Sequence, residues 1–241
     1  MPAKRLVSFG CSYTYGEGLE DCISDVPGER PKFPSKYAWP NIVANNKKLN
    51  CCNLSSPGHS NKFIAEKIRR TNLSRNDVVV VLWTHFTRSC IFDIAPRPER
   101  GFPAGQGKYE EQMGELYYRR LISSDIAYVT NKDEKRWSET FYRYFYFSYD
   151  TFLEDLESIN HVYLYLKRLG IPSYHLLTDN VPFKLIEDDD KFVNLPNWNV
   201  VNFKSINWNK VYAYGRAPDG DHPSASGQKE LARQILRHIK Y

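Results

Sequence analysis

The sequence lacks the residue patterns that mark a metal-binding or secreted protein. None of its five cysteines is paired at C-x-x-C spacing and no two histidines follow H-x-x-x-H, so we expect no metal site. Cys51 and Cys52 are adjacent in an apolar run, and the odd cysteine count favours reduced thiols and a cytoplasmic location. The N-terminus carries two basic residues without the long apolar run of a secretory signal.

Long apolar runs and blocks of one charge are also missing. No segment approaches the ~18 consecutive apolar residues of a membrane helix, so no membrane span is expected. The net charge is only +5, and lysine and arginine are scattered among aspartate and glutamate, which does not indicate nucleic-acid binding. The aromatic share of 15% is unusual, and its position matters because aromatic side chains dominate protein cores and interfaces.

What the chain does contain is an alternation of short apolar strands and amphipathic helices. Strands are predicted at 6–9, 51–54, 78–83, 171–177 and 200–203, and the VVVVLW run suits a strand buried on both faces of a parallel sheet. Helices are predicted at 39–48, 60–73 and 224–239, the last capped by Ser224. For a 241-residue chain, this order predicts one domain, residues 1–241, with a three-layer α/β/α sandwich fold.

The segment 96–167 breaks this alternation, and we expect it to be an insertion before the fourth strand. It begins with the loop PRPERGFPAGQG, and helices are predicted at 110–123 and 137–169. The second helix carries more aromatic residues than one helix face can hold: Trp137, Phe141, Tyr142, Tyr144, Phe145, Tyr146, Phe147 and Tyr149. Some must contact the core, a partner subunit or a substrate, so the insertion is a candidate oligomer interface.

The first candidate functional residue is a serine just after the first strand. The strand ends at Phe9, Gly10 permits a sharp turn, and Ser12 follows at the carboxyl edge of the sheet, where open α/β sheets bind ligands. A serine hydroxyl is a poor nucleophile until a base takes its proton. If Ser12 reacts, a histidine must therefore reach it.

A histidine suited to this role lies near the C-terminus, in the stretch DGDHPSASG. His222 is in a polar loop before the last helix, and Asp219 is three residues earlier, so a tight turn can bring its carboxylate to the imidazole. That contact fixes the tautomer and stabilises the imidazolium formed when Ser12 loses its proton. Asp221, adjacent to His222, is the second choice for the acid.

Two further loops at the same sheet edge offer groups for the oxyanion of an acyl-transfer reaction. The second strand leads into SSPGHSN, where a Pro-Gly turn before a helix aims backbone N–H groups at developing negative charge. The amides of Ser12 and Gly58 are the natural pair. After the third strand, Thr84 and His85 can add polar contacts, and Arg88 can pair with an acidic substrate group.

Taken in order, these four loops resemble the sequence blocks of the SGNH (GDSL-type) hydrolase superfamily. The shared features are a serine after the first strand, a glycine after the second, a polar block after the third and Asp-x-x-His before the final helix. The resemblance covers most of the chain outside 96–167, and FGCSYTYGEG is similar to the version in uncharacterised phage and bacterial members. It implies a flavodoxin-like sheet of five parallel strands in the order 2-1-3-4-5, with catalytic roles for the serine, glycine, aspartate and histidine named above.

One block departs from this family. The family's third block is usually Gly-x-Asn-Asp, whose asparagine side chain completes the oxyanion hole, whereas here the place holds Trp83, Thr84 and His85. Asn61, close in sequence to Gly58, is the candidate substitute. Loss of one oxyanion donor costs about 10²–10³-fold in rate. Either the donor is supplied elsewhere or catalysis is weak or absent.

The leading hypothesis is a serine esterase or O-deacetylase, a carboxylic ester hydrolase that removes a small acyl group from a sugar or other polar acceptor. Ser12 attacks, His222 takes the proton and Asp219 orients His222, with no cofactor required. An acyltransferase with the same residues and a non-catalytic ligand-binding protein on this fold are the alternatives. Structural or solvated roles fit the remaining polar candidates better: His59, His161, His175 and the acidic run 187–190.

Overall fold

The architecture is a five-stranded parallel sheet with helices on both faces. A computed structural model of the protein describes residues 4–23, 33–93, 111–113, 116–121, 132–145, 148–178 and 201–240. The strands are β1 (Arg5–Phe9), β2 (Asn50–Asn53), β3 (Asp77–Trp83), β4 (Ser89–Asp93), β5 (Glu111–Met113), β6 (Leu116–Leu121), β7 (Ser173–Leu177) and β8 (Lys204–Ser205). The helices are α1 (Ser12–Tyr15), α2 (Trp39–Asn46), α3 (Asn61–Arg70), α4 (Lys132–Tyr144), α5 (Ser148–Leu169), α6 (Trp208–Tyr212) and α7 (Ala225–Leu236).

The main sheet has the order β2-β1-β3-β7-β8, and all of its pairs are parallel. The predicted α/β sandwich with a flavodoxin-like sheet is therefore confirmed. Three strands of a second sheet intervene along the chain, so the order in whole-chain numbering differs in detail from 2-1-3-4-5. The last strand pairs at Lys204–Ser205, just beyond the predicted 200–203, of which residue 200 lies outside the described residues.

Burial of both sheet faces explains the apolar run of β3. All seven of its residues are buried. From Val78 to Trp83, the odd-numbered side chains of β3 pack with α3 and α5, and the even-numbered side chains pack with α2 and α7. Because side chains alternate along a strand, coverage of both faces favours apolar residues at successive positions. Asp77, at the start of the strand, is the polar exception and pairs with Arg5.

Helix α5 lies on the sheet, although most of its sequence falls in the segment predicted to be an insertion. Its buried side chains recur every three or four residues, which is the stripe of an amphipathic helix: Phe152, Leu156, Ile159, Val162 and Leu166. The helix therefore serves as the crossover connection between the parallel strands β3 and β7. The single helix predicted at 137–169 is two helices, α4 and α5. The single-domain organisation and the bounds of the insertion stay predictions.

The helix predicted at 110–123 is wrong. Glu111–Met113 and Leu116–Leu121 are strands, and with β4 they form an antiparallel sheet in the order β4-β6-β5. Aromatic residues such as Tyr117 and Tyr118 favour strands, and β4 offers a partner whose pairing joins Ser89 to Leu121. The preceding loop at 96–107 lies outside the described residues.

The aromatic residues of α4 and its C-terminal end do not share one environment. Phe141 and Tyr142 are half-buried, whereas Tyr144 and Phe145 are 64% and 66% exposed. The Tyr142 hydroxyl donates a hydrogen bond to the Thr87 carbonyl at 2.6 Å. Tyr146 and Phe147, like the acidic run 187–190, lie outside the described residues. An oligomer interface at this segment stays a prediction.

The cysteines are free thiols, and burial raises the pKa of several of them. Burial raises the pKa of Cys22 to about 12, that of Cys51 to about 11 and that of Cys90 to about 12. These thiols therefore stay protonated at neutral pH. In the part of the chain that the structure describes, no helix is both long and apolar enough to cross a membrane.

Candidate functional site

Three candidate residues follow the carboxyl ends of neighbouring strands. Ser12 is the first residue of α1, just after β1, and Thr84 directly follows β3. Gly58 lies between β2 and α3 with a φ of +73°, a conformation that favours glycine. The Ser56 amide donates to the Gly10 carbonyl at 3.4 Å, so the loops after β1 and β2 contact each other. The sheet edge thus gathers these groups in one place.

The loop before α7 brings Asp219 and His222 together. The Nδ1 atom of His222 lies 2.6 Å from Oδ2 of Asp219. The other carboxylate oxygen accepts the backbone N–H groups of Asp221 and His222, each at 3.0 Å. Burial raises the pKa of Asp219, but the hydrogen bonds from His222 and Asp221 outweigh it, so the pKa lies below its usual value. The carboxylate is therefore ionised at neutral pH and orients the imidazole.

This loop packs against the turn that Ser12 begins. Oε2 of Glu17 lies 3.7 Å from Nε2 of His222, and the ring centroids of Tyr13 and His222 are 5.4 Å apart. Gly18 has a φ of +81°, and a Cβ there would overlap the carboxylate of Asp219. The absence of a side chain at Gly18 is therefore what allows Asp219 to approach α1.

Ser12 itself is buried, with 3% of its surface exposed. Its hydroxyl contacts Sγ of Cys11 at 4.0 Å and makes no hydrogen bond to His222 or to any other described residue. The backbone amides of Ser12 and Gly58 likewise donate to no other described residue. Catalytic hydrogen bonds often tighten only when substrate binds, and two amides without an internal acceptor are available to one.

Asn61 is buried, and its side-chain amide binds the backbone of the residue that follows β3. Its Oδ1 accepts the Thr84 N–H at 2.8 Å, and its Nδ2 donates to the Thr84 carbonyl at 3.2 Å and to Oδ2 of Asp155 at 2.8 Å. A primary amide has two N–H donors, and both are used here. The geometry therefore does not support the oxyanion role expected for Asn61. The side chain instead ties α3 to β3 and α5.

Asp155 is a carboxyl group buried in the core, with 3% of its surface exposed. Burial raises its pKa well above the usual value, although the hydrogen bond from Asn61 opposes this shift. The carboxyl is therefore favoured in its protonated form in the folded chain. Its ionisation weakens the fold as the pH rises.

We expect Asp155→Asn to stabilise the protein at neutral pH. Because the pKa of Asp155 is higher in the folded chain, the wild-type free energy of unfolding falls as the pH rises from about 4 towards the folded pKa, by up to about 1.4 kcal/mol per pH unit. Asparagine keeps an oxygen for Asn61 and does not ionise, so the fall disappears. Urea unfolding of the wild type and the variant at several pH values measures this pH dependence of the free energy of unfolding. Asp150→Asn, at an exposed position of α5, is the control, and an unchanged pH dependence in Asp155→Asn would contradict the raised pKa.

The ring of Tyr13, the residue after Ser12, contacts aromatic rings from other parts of the site. The Tyr13 ring lies 4.8 Å from that of Trp208 and 6.3 Å from that of His85, centroid to centroid. The Tyr212 hydroxyl donates to the Tyr13 hydroxyl at 3.3 Å. Burial, aided by Tyr212, raises the pKa of Tyr13, so this hydroxyl stays neutral. The uncharged Tyr13 ring therefore lies next to the rings of both His85 and His222.

Arg88 adds a positive charge to this region. Its Nη1 donates to Oγ1 of Thr84 at 3.1 Å, and no carboxylate pairs with it among the described residues. Its charge also acts on the Tyr13 hydroxyl, where it partly opposes the effect of burial on the pKa. His85 is half-exposed at the same edge. The guanidinium thus keeps donors available for an anionic group.

Sequence reasoning missed the residues that hold the loops in place. Tyr13, Glu17 and Gly18 lie in the SYTYGEG stretch beside Ser12, and their proximity in sequence was the available signal. Trp208 is distant in sequence, and no local pattern marks its contact with Tyr13. Among the described residues, no group of three or more His, Cys, Asp or Glu side chains is placed to hold a metal ion.

Comparison with known proteins shows similarity in structure but not in sequence. No protein-family model matches the chain, and no curated protein matches its sequence. One similar solved structure is a carbohydrate esterase whose active site displays divergent catalytic and non-catalytic binding functions. That protein is 12% identical with a TM-score of 0.51, and the match covers 99% of this chain and 69% of that one.

Two other solved structures cover both chains almost completely. Phospholipase A1 from Streptomyces albidoflavus is 12% identical with a TM-score of 0.48, over 99% of this chain and 100% of that one. A G-D-S-L family protein from Desulfitobacterium hafniense is 10% identical with a TM-score of 0.48, over 98% and 99%. The match to the carbohydrate esterase shows that the chain shares the fold of that protein. The similarity to phage members stays a prediction.

Proposed function

We propose that this protein is a serine esterase or O-deacetylase that removes a small acyl group from a sugar or another polar acceptor. The observation that carries the proposal is the Asp219–His222 pair, whose Oδ2 and Nδ1 atoms lie 2.6 Å apart on a loop packed against the Ser12 turn. Asp219 accepts the Nδ1 proton, which leaves Nε2 of His222 unprotonated. That nitrogen is the base that Ser12 needs.

In the first half of the reaction, the Ser12 hydroxyl turns from Cys11 towards His222. Its oxygen attacks the acyl carbonyl, and its proton passes to Nε2 of His222. His222 then gives this proton to the leaving alcohol as the carbon–oxygen bond breaks. Ser12 is left carrying the acyl group as an ester.

In the second half, water takes the place of the alcohol. His222 accepts a proton from the water, the resulting hydroxide attacks the acyl-Ser12 ester, and the proton returns to the Ser12 oxygen as the acid leaves. Through both halves, the amides of Ser12 and Gly58 donate to the oxyanion. No metal ion or organic cofactor takes part in these steps.

The rim residues set which acceptor fits. Arg88 has no carboxylate partner among the described residues, so we assign it to an acidic or strongly polar group of the substrate. His85 and the Tyr13 ring line the same approach. Thr84 holds Arg88 through its hydroxyl, and Asn61 holds Thr84, which makes both of them positioning residues.

A second candidate function is ligand binding without catalysis. Two observations favour it: the Ser12 hydroxyl contacts Cys11 instead of His222, and both N–H donors of Asn61 are occupied. A protein of this kind would bind an acylated sugar at the same edge and leave it intact.

Labelling and turnover separate the two functions. A fluorophosphonate probe should label Ser12, as read by peptide mass spectrometry, and the protein should release acid from p-nitrophenyl acetate or an O-acetylated sugar. Absence of both labelling and turnover in a folded sample would refute the esterase function and leave ligand binding as the candidate. Turnover that persists unchanged in Ser12→Ala would refute the assignment of Ser12 as the nucleophile.

We expect Gly18→Ala to lower kcat/KM by roughly 10²-fold, because its Cβ displaces the Asp219 carboxylate and with it His222. The positive φ adds a strain of about 1–2 kcal/mol, measured as a lower free energy of unfolding. Gly215→Ala is the matched control: it has a φ of +90° and no atom within 4 Å of its Cβ position. It should lose similar stability and keep its activity. Equal losses of activity in both variants would show that strain alone is responsible.

A further inference from the structure

A cavity lies at the edge of the main sheet, away from the candidate active site. Strand β8 pairs only with Leu176 and Leu177, so among the described residues the first half of β7 has no strand partner on that side. A cavity of about 460 Å³ lies there, bounded by residues of α5, β7 and the end of α7. Cavities of this size hold small molecules. None of the candidate catalytic residues lines it.

The described lining of the cavity is positively charged and includes no counter-ion. Lys204, Arg237 and Lys240 line it, and no acidic side chain is among its lining residues. The Lys204 ammonium donates to the neutral Oδ1 of Asn202 at 2.6 Å, and none of the three cations forms an ion pair within the described residues. Like charges gathered at a concave surface raise the local potential and attract anions.

The pKa of His238 reflects the closeness of Lys204 and Arg237 to its ring. Burial lowers its pKa, and the neighbouring charges of Lys204 and Arg237 lower it further. Its ring is therefore neutral at physiological pH and can donate a hydrogen bond from one nitrogen. The cavity wall thus combines cations with a neutral donor.

A chain of hydrogen bonds leaves the Ser173 hydroxyl free to donate into the cavity. The Trp83 indole is only a donor, and it gives its N–H to Nδ1 of His175 at 3.1 Å. Burial lowers the pKa of His175 to about 3, so the ring is neutral and its proton sits on Nε2. That proton is donated to Oγ of Ser173 at 3.1 Å. The hydroxyl proton of Ser173 therefore points elsewhere.

Another part of the cavity wall is apolar. Tyr163, Leu176 and Ile235 line the cavity from α5, β7 and α7. A phosphate group carries about two negative charges and several acceptor oxygens, which suits three cations and the Ser173 donor better than a single carboxylate does. We propose that this cavity binds a small molecule in which a phosphate group is joined to an aromatic ring, with the phosphate at Lys204 and Arg237 and the ring against Tyr163 and Ile235.

Calorimetric titration of the full chain tests the proposal with phenyl phosphate, inorganic phosphate and phenol as probes. Phenyl phosphate should bind more tightly than inorganic phosphate, and phenol should not bind measurably. The Lys204→Gln/Arg237→Gln double variant should raise the Kd for phenyl phosphate by about tenfold or more, and Ser173→Ala should raise it by about threefold. Lys229→Gln, at an exposed position of α7 outside the cavity, is the matched control and should leave the Kd unchanged.

The same titration in the Ser12→Ala background separates this cavity from the candidate active site. An unchanged Kd there supports a site at the sheet edge, whereas loss of binding would place phenyl phosphate at Ser12 and overturn the proposal. Equal affinity of the wild type and a folded double variant would also overturn it, as would no binding of phenyl phosphate by the wild type. If inorganic phosphate binds as tightly as phenyl phosphate, the aromatic part of the ligand is wrong.

Discussion

Ser12→Ala is expected to lower kcat for a short-chain ester by about 10⁴-fold or more, with little change in KM. The hydroxyl is the bond-forming atom in the proposed mechanism, and removal of a serine nucleophile leaves only what the oxyanion donors and substrate binding contribute. Ser12 is buried, and within the described residues its hydroxyl makes only the long 4.0 Å contact with Sγ of Cys11, so the fold should lose little stability. Steady-state kinetics with p-nitrophenyl acetate measure the effect, and thermal unfolding verifies the fold.

Cys11→Ala is the matched control for Ser12→Ala. Cys11 lies beside Ser12, is fully buried, and its thiol is the group that the Ser12 hydroxyl contacts. If the hydroxyl is the nucleophile, this variant should keep kcat within about threefold of the wild type, because it removes no reacting atom. A large loss in Cys11→Ala with retained activity in Ser12→Ala would instead identify the thiol as the reacting group.

Asp219→Asn is expected to lower kcat by about 10³–10⁴-fold, the second largest effect. One carboxylate oxygen accepts from Nδ1 of His222 and the other from two backbone amides, so no orientation of an asparagine amide satisfies both sides. The imidazole then loses its fixed tautomer and the charge that stabilises its protonated form. Steady-state kinetics with p-nitrophenyl acetate measure kcat, and thermal unfolding verifies that the variant is folded.

Asp221→Asn tests whether His222 needs a carboxylate at the position of Asp219 or only a carboxylate nearby. Asp221 is exposed and adjacent to His222, and its hydrogen bonds within the described residues use its backbone groups: the N–H donates to Asp219, and the carbonyl accepts from Tyr212 and Arg216. The variant should therefore retain kcat within about twofold. A greater loss in Asp221→Asn than in Asp219→Asn would reverse the assignment of the acid.

Much of the fold was predictable because its signals are local. The apolar run of β3 identified a strand covered on both faces, and Ser224 marked the start of α7, where its hydroxyl accepts the Gly227 N–H at 3.1 Å. These patterns depend on the alternation of side chains along a strand and on the free N–H groups of a helix start. Neither requires knowledge of a distant partner.

The antiparallel sheet was not predictable on the same basis. LYYRRL contains no breaker, and its aromatic and arginine residues are compatible with a helix as well as a strand. Its strand form depends on pairing with β4, which joins Ser89 to Leu121 across the intervening chain. The strand predicted at 200–203 is shifted for a similar reason, since the short β8 is defined by its pairing with the end of β7.

The candidate site likewise contains local contacts that the sequence predicts and distant contacts that it does not. The contact between Asp219 and His222 spans three residues, so spacing alone suggested it. The partners of Asn61 are 23 and 94 residues away, at Thr84 and Asp155, and no local pattern shows that they occupy its amide. The oxyanion role expected for Asn61 rested on its closeness to Gly58 in sequence, which cannot reveal such contacts.

The buried thiols provide a way to observe the molecule opening. Alkylating reagents attack the thiolate, and the raised pKa values of Cys22, Cys51 and Cys90 keep that form scarce in the folded chain. At the buried Cys22 and Cys90, alkylation therefore proceeds mainly through transient exposure, and its rate measures how often the structure opens. Because Cys22 follows α1 and Cys90 lies in β4, peptide mass spectrometry of one alkylated sample would measure the opening of two regions separately, with the partly buried Cys51 as the reference.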